Sequence, residues 1–154
     1  MGDDEMTEII KSVKRTNYVP YRWVYGRDLS RFFLETKNHK KLYGVRCTKC
    51  QKVLVPPVEV CGVCFAPTDK QWIPVSDHGV LHTYTVVNLS FPGQPTNPPY
   101  AYGLVHLDGT DNLFSHLLGE VEFDKIKPNM RVQAVWNSDP KGDLFDIKYF
   151  KPEE

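Results

Sequence analysis

Cys47-Thr-Lys-Cys50, followed after ten residues by Cys61-Gly-Val-Cys64, holds all four cysteines of the chain. A two-residue spacer lets both thiolates of one knuckle face a single ion, with backbone N–H groups close enough to offset their charge. A second knuckle completes a tetrahedral four-sulfur site. Spacing of this kind is a zinc signature, and it predicts a ribbon in which two hairpins clamp the metal. Zinc is expected ahead of iron, because nothing else in the sequence points to an electron-transfer partner. The ion would supply folding energy that so small a module cannot draw from its own core. A disulfide framework would need an oxidising compartment, and a thioredoxin-type redox pair explains one C-x-x-C but not two. With Cys47, Cys50, Cys61 and Cys64 all read as ligands, the site is closed to water and substrate. No thiol is then left to accept an acyl group.

Outward from the cysteines, the module runs from about Lys41 to Trp72. Leu54-Val-Pro-Pro-Val58 joins its two halves, and the prolines exclude a helix there. Upstream, a short helix is expected from Asp28 to about Asn38, capped by Asp28 or Ser30, with Leu29, Phe32, Phe33 and Thr36 near one face. Tyr18-Val-Pro-Tyr-Arg-Trp-Val-Tyr25 gathers large rings around a proline and is expected to dock, on its own domain or on another chain. Residues 1–17 are polar and are expected to be disordered or partner-dependent.

Downstream the pattern changes to short alternating strands with turn punctuation. Strands are predicted at Val80–Leu89, Ala101–Leu107, Leu113–Leu118, Arg131–Trp136 and Leu144–Phe150, with a hairpin turn at Asp108–Asp111. Five short strands in about 75 residues predict a small closed or nearly closed barrel. The divisions read from this pattern are 1–40 for the extension and helix, 41–74 for the ribbon and 75–154 for the barrel.

Hydrophobic residues make up 41% of the chain and charged residues 25%, as in an ordinary soluble globular protein. No apolar run reaches the roughly 20 residues of a membrane span. The acidic N-terminus lacks an apolar signal core, so a cytoplasmic location is expected. Net charge is zero but divided: residues 1–74 carry 13 Lys and Arg against 8 Asp and Glu, and residues 75–154 carry 6 against 11. An acidic barrel repels a phosphate backbone, which weighs against a nucleic-acid binder.

No other cluster carries obvious chemistry. His39, His78, His82, His106 and His116 are expected to be surface or partly buried strand residues; His82 and His106 could share one side of the barrel. Ser115 beside His116 is no dyad, because neighbours in a strand point to opposite faces. No Walker or dinucleotide loop is present. The loop Phe91–Tyr102, with Pro92, Pro95, Pro98 and Pro99 and rings at Phe91, Tyr100 and Tyr102, is the best candidate recognition surface; it is otherwise a stiff connection.

The order of parts is itself distinctive. Phe32-Phe33 precedes Leu42-Tyr-Gly-Val-Arg-Cys47; Cys50, Pro56-Pro57, Cys61-Gly-Val-Cys64, Trp72 and Gly79-Val80 follow. Pro99-Tyr100, Leu107-Asp-Gly109 and Pro128-Asn-Met-Arg-Val132 complete the series. Over roughly residues 28–152 this resembles the family known as domain of unknown function thirty-five, a rubredoxin-type zinc ribbon fused to an OB-fold. His78, Gln51 and Phe65 depart from the pattern: the last two replace the glycine common after each knuckle. The resemblance implies a mainly β protein with an N-terminal helical segment, a rubredoxin-like zinc ribbon and a five-stranded OB-fold barrel.

It also implies a non-catalytic subunit in a hetero-oligomer with a thiolase-like protein, part of a thiolase-type acyltransferase, that helps form the site for a CoA thioester. Arg46, Lys49 and Lys52 near the knuckles could then meet CoA phosphates, and Phe91, Tyr100 and Tyr102 could touch the acyl-CoA or the partner. The alternative is a zinc-ribbon and OB-fold module for nucleic acid.

Overall fold

A computed structural model describes residues 24–153. The segment 1–17 and most of the aromatic segment 18–25 lie outside the described residues. Helix α1 (Gly26–His39) buries Phe32, Phe33 and Thr36, as the spacing of its apolar residues predicts. It starts two residues before Asp28, and neither Asp28 nor Ser30 caps it: Tyr25 occupies the capping position without a side-chain bond. Asp28 instead sits in the first turn, where its charge favours the helix dipole. Lys40 ends the helix in a left-handed conformation (φ 52°), its N–H donating to the Thr36 carbonyl at 3.0 Å.

Strands β1 (Leu42–Cys47), β2 (Val53–Leu54) and β3 (Thr68–Val75) form a three-stranded antiparallel sheet in the order β2-β1-β3. Then β4 (His78–Val87), β5 (Tyr100–Leu107), β6 (Leu113–Leu118), β7 (Arg131–Trp136) and β8 (Ile147–Pro152) close a barrel in the order β4-β5-β6-β8-β7, with β7 returning to β4. Among the described residues only the β6–β8 pair is parallel. The last strand begins at Ile147 rather than Leu144. Residues Leu144–Asp146 turn as a short 3-10 helix, because the Asp143 carboxylate accepts the Phe145 N–H and the buried Asp146 carboxylate accepts those of Lys141 and Gly142.

One apolar core runs through the molecule. Phe32 and Phe33 from α1, Leu42 from β1 and Val55 from the ribbon pack with Leu81, Ala101, Val105, Leu107, Phe150 and other barrel residues. A smaller cluster of Val45, Leu54, Cys47 and Cys61 lies at the sulfurs. Trp72 packs against both, and the Arg31 guanidinium stacks on its ring at 4.3 Å. The turn after β5 grips the edge of the ribbon. Asp111 and Asn112 carboxylate and amide oxygens accept the N–H groups of Val53 and Val55 at 2.8 and 2.9 Å, and Asn112 Nδ2 donates to the Val55 carbonyl at 2.6 Å.

Gly79, the second residue of β4, lies where the strands approach too closely for a side chain. A Cβ there would stand 2.4 Å from the His106 carbonyl oxygen and 2.8 Å from Leu107 Cα, both backbone atoms. Gly79→Ala is therefore expected to lower stability by about 2 kcal/mol or more, seen as an earlier midpoint in urea; a wild-type midpoint would contradict the close approach.

Across the strand ends, Arg131 holds Asp108 through two 2.8 Å hydrogen bonds and reaches Glu153 at 3.3 Å, while His78 bonds Glu153 at 2.9 Å. Hydrogen bonds from Arg131 hold the Asp108 carboxyl below its usual range, and His78 does the same for Glu153. Such groups contribute stability above their ordinary pKa and lose it as pH falls. Acid titration below about pH 4 should weaken the barrel closure, and Arg131→Met should flatten that dependence in thermal melts.

Candidate functional site

The four sulfurs, one from each of Cys47, Cys50, Cys61 and Cys64, all lie within 4.8 Å of one another. β1 ends on Cys47 and the knuckle turns back through Gln51, whose N–H donates to the Cys47 carbonyl at 3.1 Å. The second knuckle repeats this, Phe65 N–H donating to the Cys61 carbonyl at 2.9 Å. Gln51 and Phe65 both take positive φ, 62° and 57°, which explains why glycine suits the two positions. Backbone N–H groups of Lys49 and Cys50 point at Cys47 Sγ, and that of Val63 at Cys61 Sγ, each at 3.4 Å.

The Cys47–Cys64 and Cys50–Cys61 sulfurs are 3.3 and 3.7 Å apart, well beyond the roughly 2.05 Å of a disulfide. Zn–S bonds of about 2.3 Å in a tetrahedron place sulfurs about 3.8 Å apart, so the set fits a four-coordinate thiophilic cation. The thiols cannot all ionise unaided. Burial works to raise Cys47, but the N–H groups of Cys50 and Lys49 and the neighbouring sulfurs bring it down to about 6. At Cys50 the Lys52 N–H favours the thiolate, yet burial and the three other sulfurs push the thiol up to about 12. A cation at the centre removes that conflict and displaces the remaining protons.

The other residues singled out by sequence fall into two separate groups. Arg46, Lys49 and Lys52 lie on and beside the first knuckle, with the Arg46 guanidinium donating to the Gln51 carbonyl at 3.0 Å. Tyr100 and Tyr102 lie on β5 opposite Val87 and Thr85. The ribbon is gripped by the turn that follows Leu107, at the other end of β5, seven residues or about 23 Å away. The structure therefore does not bring the basic and aromatic groups together.

Around the tyrosines is a groove of about 650 Å³ between the β4–β5 loop and the β7–β8 loop, lined by Thr85, Val87, Gln94, Tyr100, Tyr102 and Phe145 among others, none of them charged. Phe91 is exposed near it without lining it. Gln94 fixes the loop: its Oε1 accepts the Phe91 N–H and its Nε2 donates to the Leu89 carbonyl, both at 2.8 Å. Sequence reasoning missed Gln94 and Phe145. A lone Gln carries no motif, and Phe145 arrives from the distant end of the chain.

His116 is fully buried, beyond the surface or partly buried position expected, stacked on Phe114 and set edge-on to Phe145 and Phe150. Its Nδ1 accepts the Leu117 N–H and its Nε2 meets the Leu144 carbonyl, both at 2.9 Å. Burial, the dominant influence, lowers its pKa and keeps the ring neutral. With both nitrogens engaged and Ser115 exposed on the other face, the pair makes no dyad. His82 and His106 are exposed, and His106 Nε2 contacts the Thr110 carbonyl. Among the described residues, no helix is long and apolar enough to cross a membrane.

Comparison with known proteins finds matches in both parts of the chain. Residues 37–69 match the ChsH2 rubredoxin-like zinc ribbon domain, and residues 72–137 match the ChsH2 C-terminal OB-fold domain. A DUF35 domain-containing scaffold protein of Methanocaldococcus jannaschii is 29% identical over 122 residues, covering 77% of this chain and 86% of that one. The solved Ltp2-ChsH2(DUF35) aldolase superposes with a TM-score of 0.60 at 25% identity, over 85% of this chain and 98% of the other. A crystal structure of a Sulfolobus solfataricus protein of unknown function from the DUF35 family has the same fold (TM-score 0.60, 17% identity, covering 83% of this chain and 87% of that one).

The sulfur cluster makes a direct test available. Cobalt added to metal-free protein should give the thiolate-to-metal charge-transfer band of a four-sulfur site, with affinity falling as pH is lowered because each thiol must give up its proton. Cys61→Ser should lose the band's full intensity and the folded ribbon; an unchanged spectrum would exclude Cys61 as a ligand.

Proposed function

Because the chain belongs to the DUF35 family, in which a rubredoxin-like zinc ribbon precedes an OB-fold, we propose that it is a non-catalytic, zinc-binding subunit of a cytoplasmic acyl-CoA-processing assembly whose catalytic chain is a thiolase-type enzyme. The observation that carries this reading is the convergence of every cysteine on one point. Zinc held by Cys47, Cys50, Cys61 and Cys64 is closed to substrate and holds the ribbon in shape. The chain then keeps no thiol for acyl transfer, so the nucleophile belongs to the partner.

The relatives support a scaffold. One is named as a scaffold protein, and a solved neighbour is a DUF35 chain named together with Ltp2 in an aldolase. The CoA thioester rests on the family resemblance. The uncharged groove at Tyr100 and Tyr102 suits the acyl or pantetheine part of such a ligand rather than its phosphates. Arg46, Lys49 and Lys52, remote from that groove, suit phosphate or an acidic surface of the partner. A nucleic-acid role would want cations where the groove has none.

Affinity purification of the tagged chain from its native host, with metal analysis, tests the proposal. A thiolase-like chain should co-purify, with about one zinc per subunit. Recovery of the chain alone, binding single-stranded nucleic acid in a salt-dependent way, would overturn it.

A further inference from the structure

Gln51 and Phe65 occupy equivalent places after the two knuckles and share the same left-handed backbone. That conformation is uncommon for any side chain and most unfavourable for a bulky one. Gln51 uses its side chain locally, Nε2 donating to the Thr48 carbonyl at 3.0 Å. Phe65 has no such use: its residue is 81% exposed, the ring held out to solvent from a strained backbone.

It is not alone there. Val58, Val60 and Val63 on the same short hairpin are also exposed. The hairpin is held firmly, by the Val60–Pro67 bridge, by Cys61 N–H to the Ala66 carbonyl at 2.9 Å and by Thr68 N–H to the Glu59 carbonyl at 3.0 Å. A rigid backbone presenting an aromatic ring among aliphatic neighbours has little ordering entropy left to lose on binding, which favours an interface anchor.

We propose that the hairpin of residues 58–68 is where this chain grips its catalytic partner, with Phe65 seated in an apolar pocket of that protein; this rests on the scaffold function proposed above. The four side chains expose on the order of 400 Å². Two copies meeting through this patch would bury only about 800 Å² in all, the size of a crystal contact rather than a stable dimer. A stable interface needs about 800 Å² from each side, so the occupant extends beyond the hairpin. The surface for it is adjacent. A groove between α1 and β3 shares Glu59 and Pro67 with the hairpin and adds Arg27, Arg31, Lys70 and Trp72. An apolar anchor beside a charged, partly aromatic margin is the composition of a hetero-interface with a polar rim. The partner's matching face is an apolar pocket sized for one phenyl ring, with polar and charged groups around it.

The test compares wild-type chain with Phe65→Gly and Phe65→Asn, each metal-loaded, by thermal melting alone and by titration with the catalytic chain that co-purifies with wild type. Glycine and asparagine tolerate the left-handed backbone, so Phe65→Gly should raise the melting temperature by about 2–4 °C and Phe65→Asn should leave the chain no less stable. Both should weaken partner binding at least tenfold. A gain in stability with a loss of binding is what a purely structural role for the ring would not produce. Unchanged partner affinity in both variants would overturn the docking site while leaving the scaffold function intact. Loss of stability in both would make the ring structural and also overturn it. A wild-type dimer dissolved by Phe65→Gly would assign the patch to a second copy instead. A wild-type chain that captures no acyl-CoA enzyme would overturn both proposals together.

Discussion

Four sulfurs within 4.8 Å of one another are an electrostatic problem before they are a site. Without a cation, ionising one thiol raises the cost of ionising the next, and Cys47 and Cys50 are driven to opposite ends of the thiol range. The ribbon around it is too small to compensate, since its own buried cluster amounts to Val45, Leu54 and two of the cysteines. Its geometry therefore depends on whatever sits among the sulfurs. This is the physical reason that a four-cysteine ribbon is read as a metal-dependent fold.

The ribbon is not an independent bead. Its edge strand β2 is gripped by Asp111 and Asn112 from a barrel turn, and Leu42 and Val55 enter the same core as the barrel strands and the rings of α1. Trp72 packs against both apolar clusters, so the sulfur site and the barrel–helix core share one side chain. A scaffold gains from such coupling. The proposed partner hairpin and the barrel groove keep a fixed separation only if the two halves cannot swing.

The distribution of charge follows the same division. The excess of cations lies in residues 1–74, while the barrel groove is neutral and aromatic within an acidic half. A barrel that bound nucleic acid through its loops would need cations in that groove. Here the groove instead presents Tyr102, Phe145 and an amide-clamped loop backbone. His116 contributes to the barrel's core packing and not to chemistry, because burial and two backbone hydrogen bonds leave it neither proton nor lone pair to offer.

Local chemistry was legible in the sequence. Cysteine spacing marked the ribbon, turn residues marked the strand ends, and the apolar positions of α1 marked the buried rings, because each depends on residues only a few places apart. Leu113–Leu118 and Arg131–Trp136 form as their alternation predicts, whereas Leu144 and Phe145 leave their strand because Asp146 gathers N–H groups from the preceding loop. The tertiary structure alone decided the rest. It made the Asp108–Asn112 turn a clamp on the ribbon and brought Phe145 to Tyr102. It also placed the basic knuckle and the tyrosine groove at opposite ends of β5. Those relations join residues 40 to 60 positions apart, and their pairing is set by barrel closure and shared core packing, which spacing along the chain does not encode.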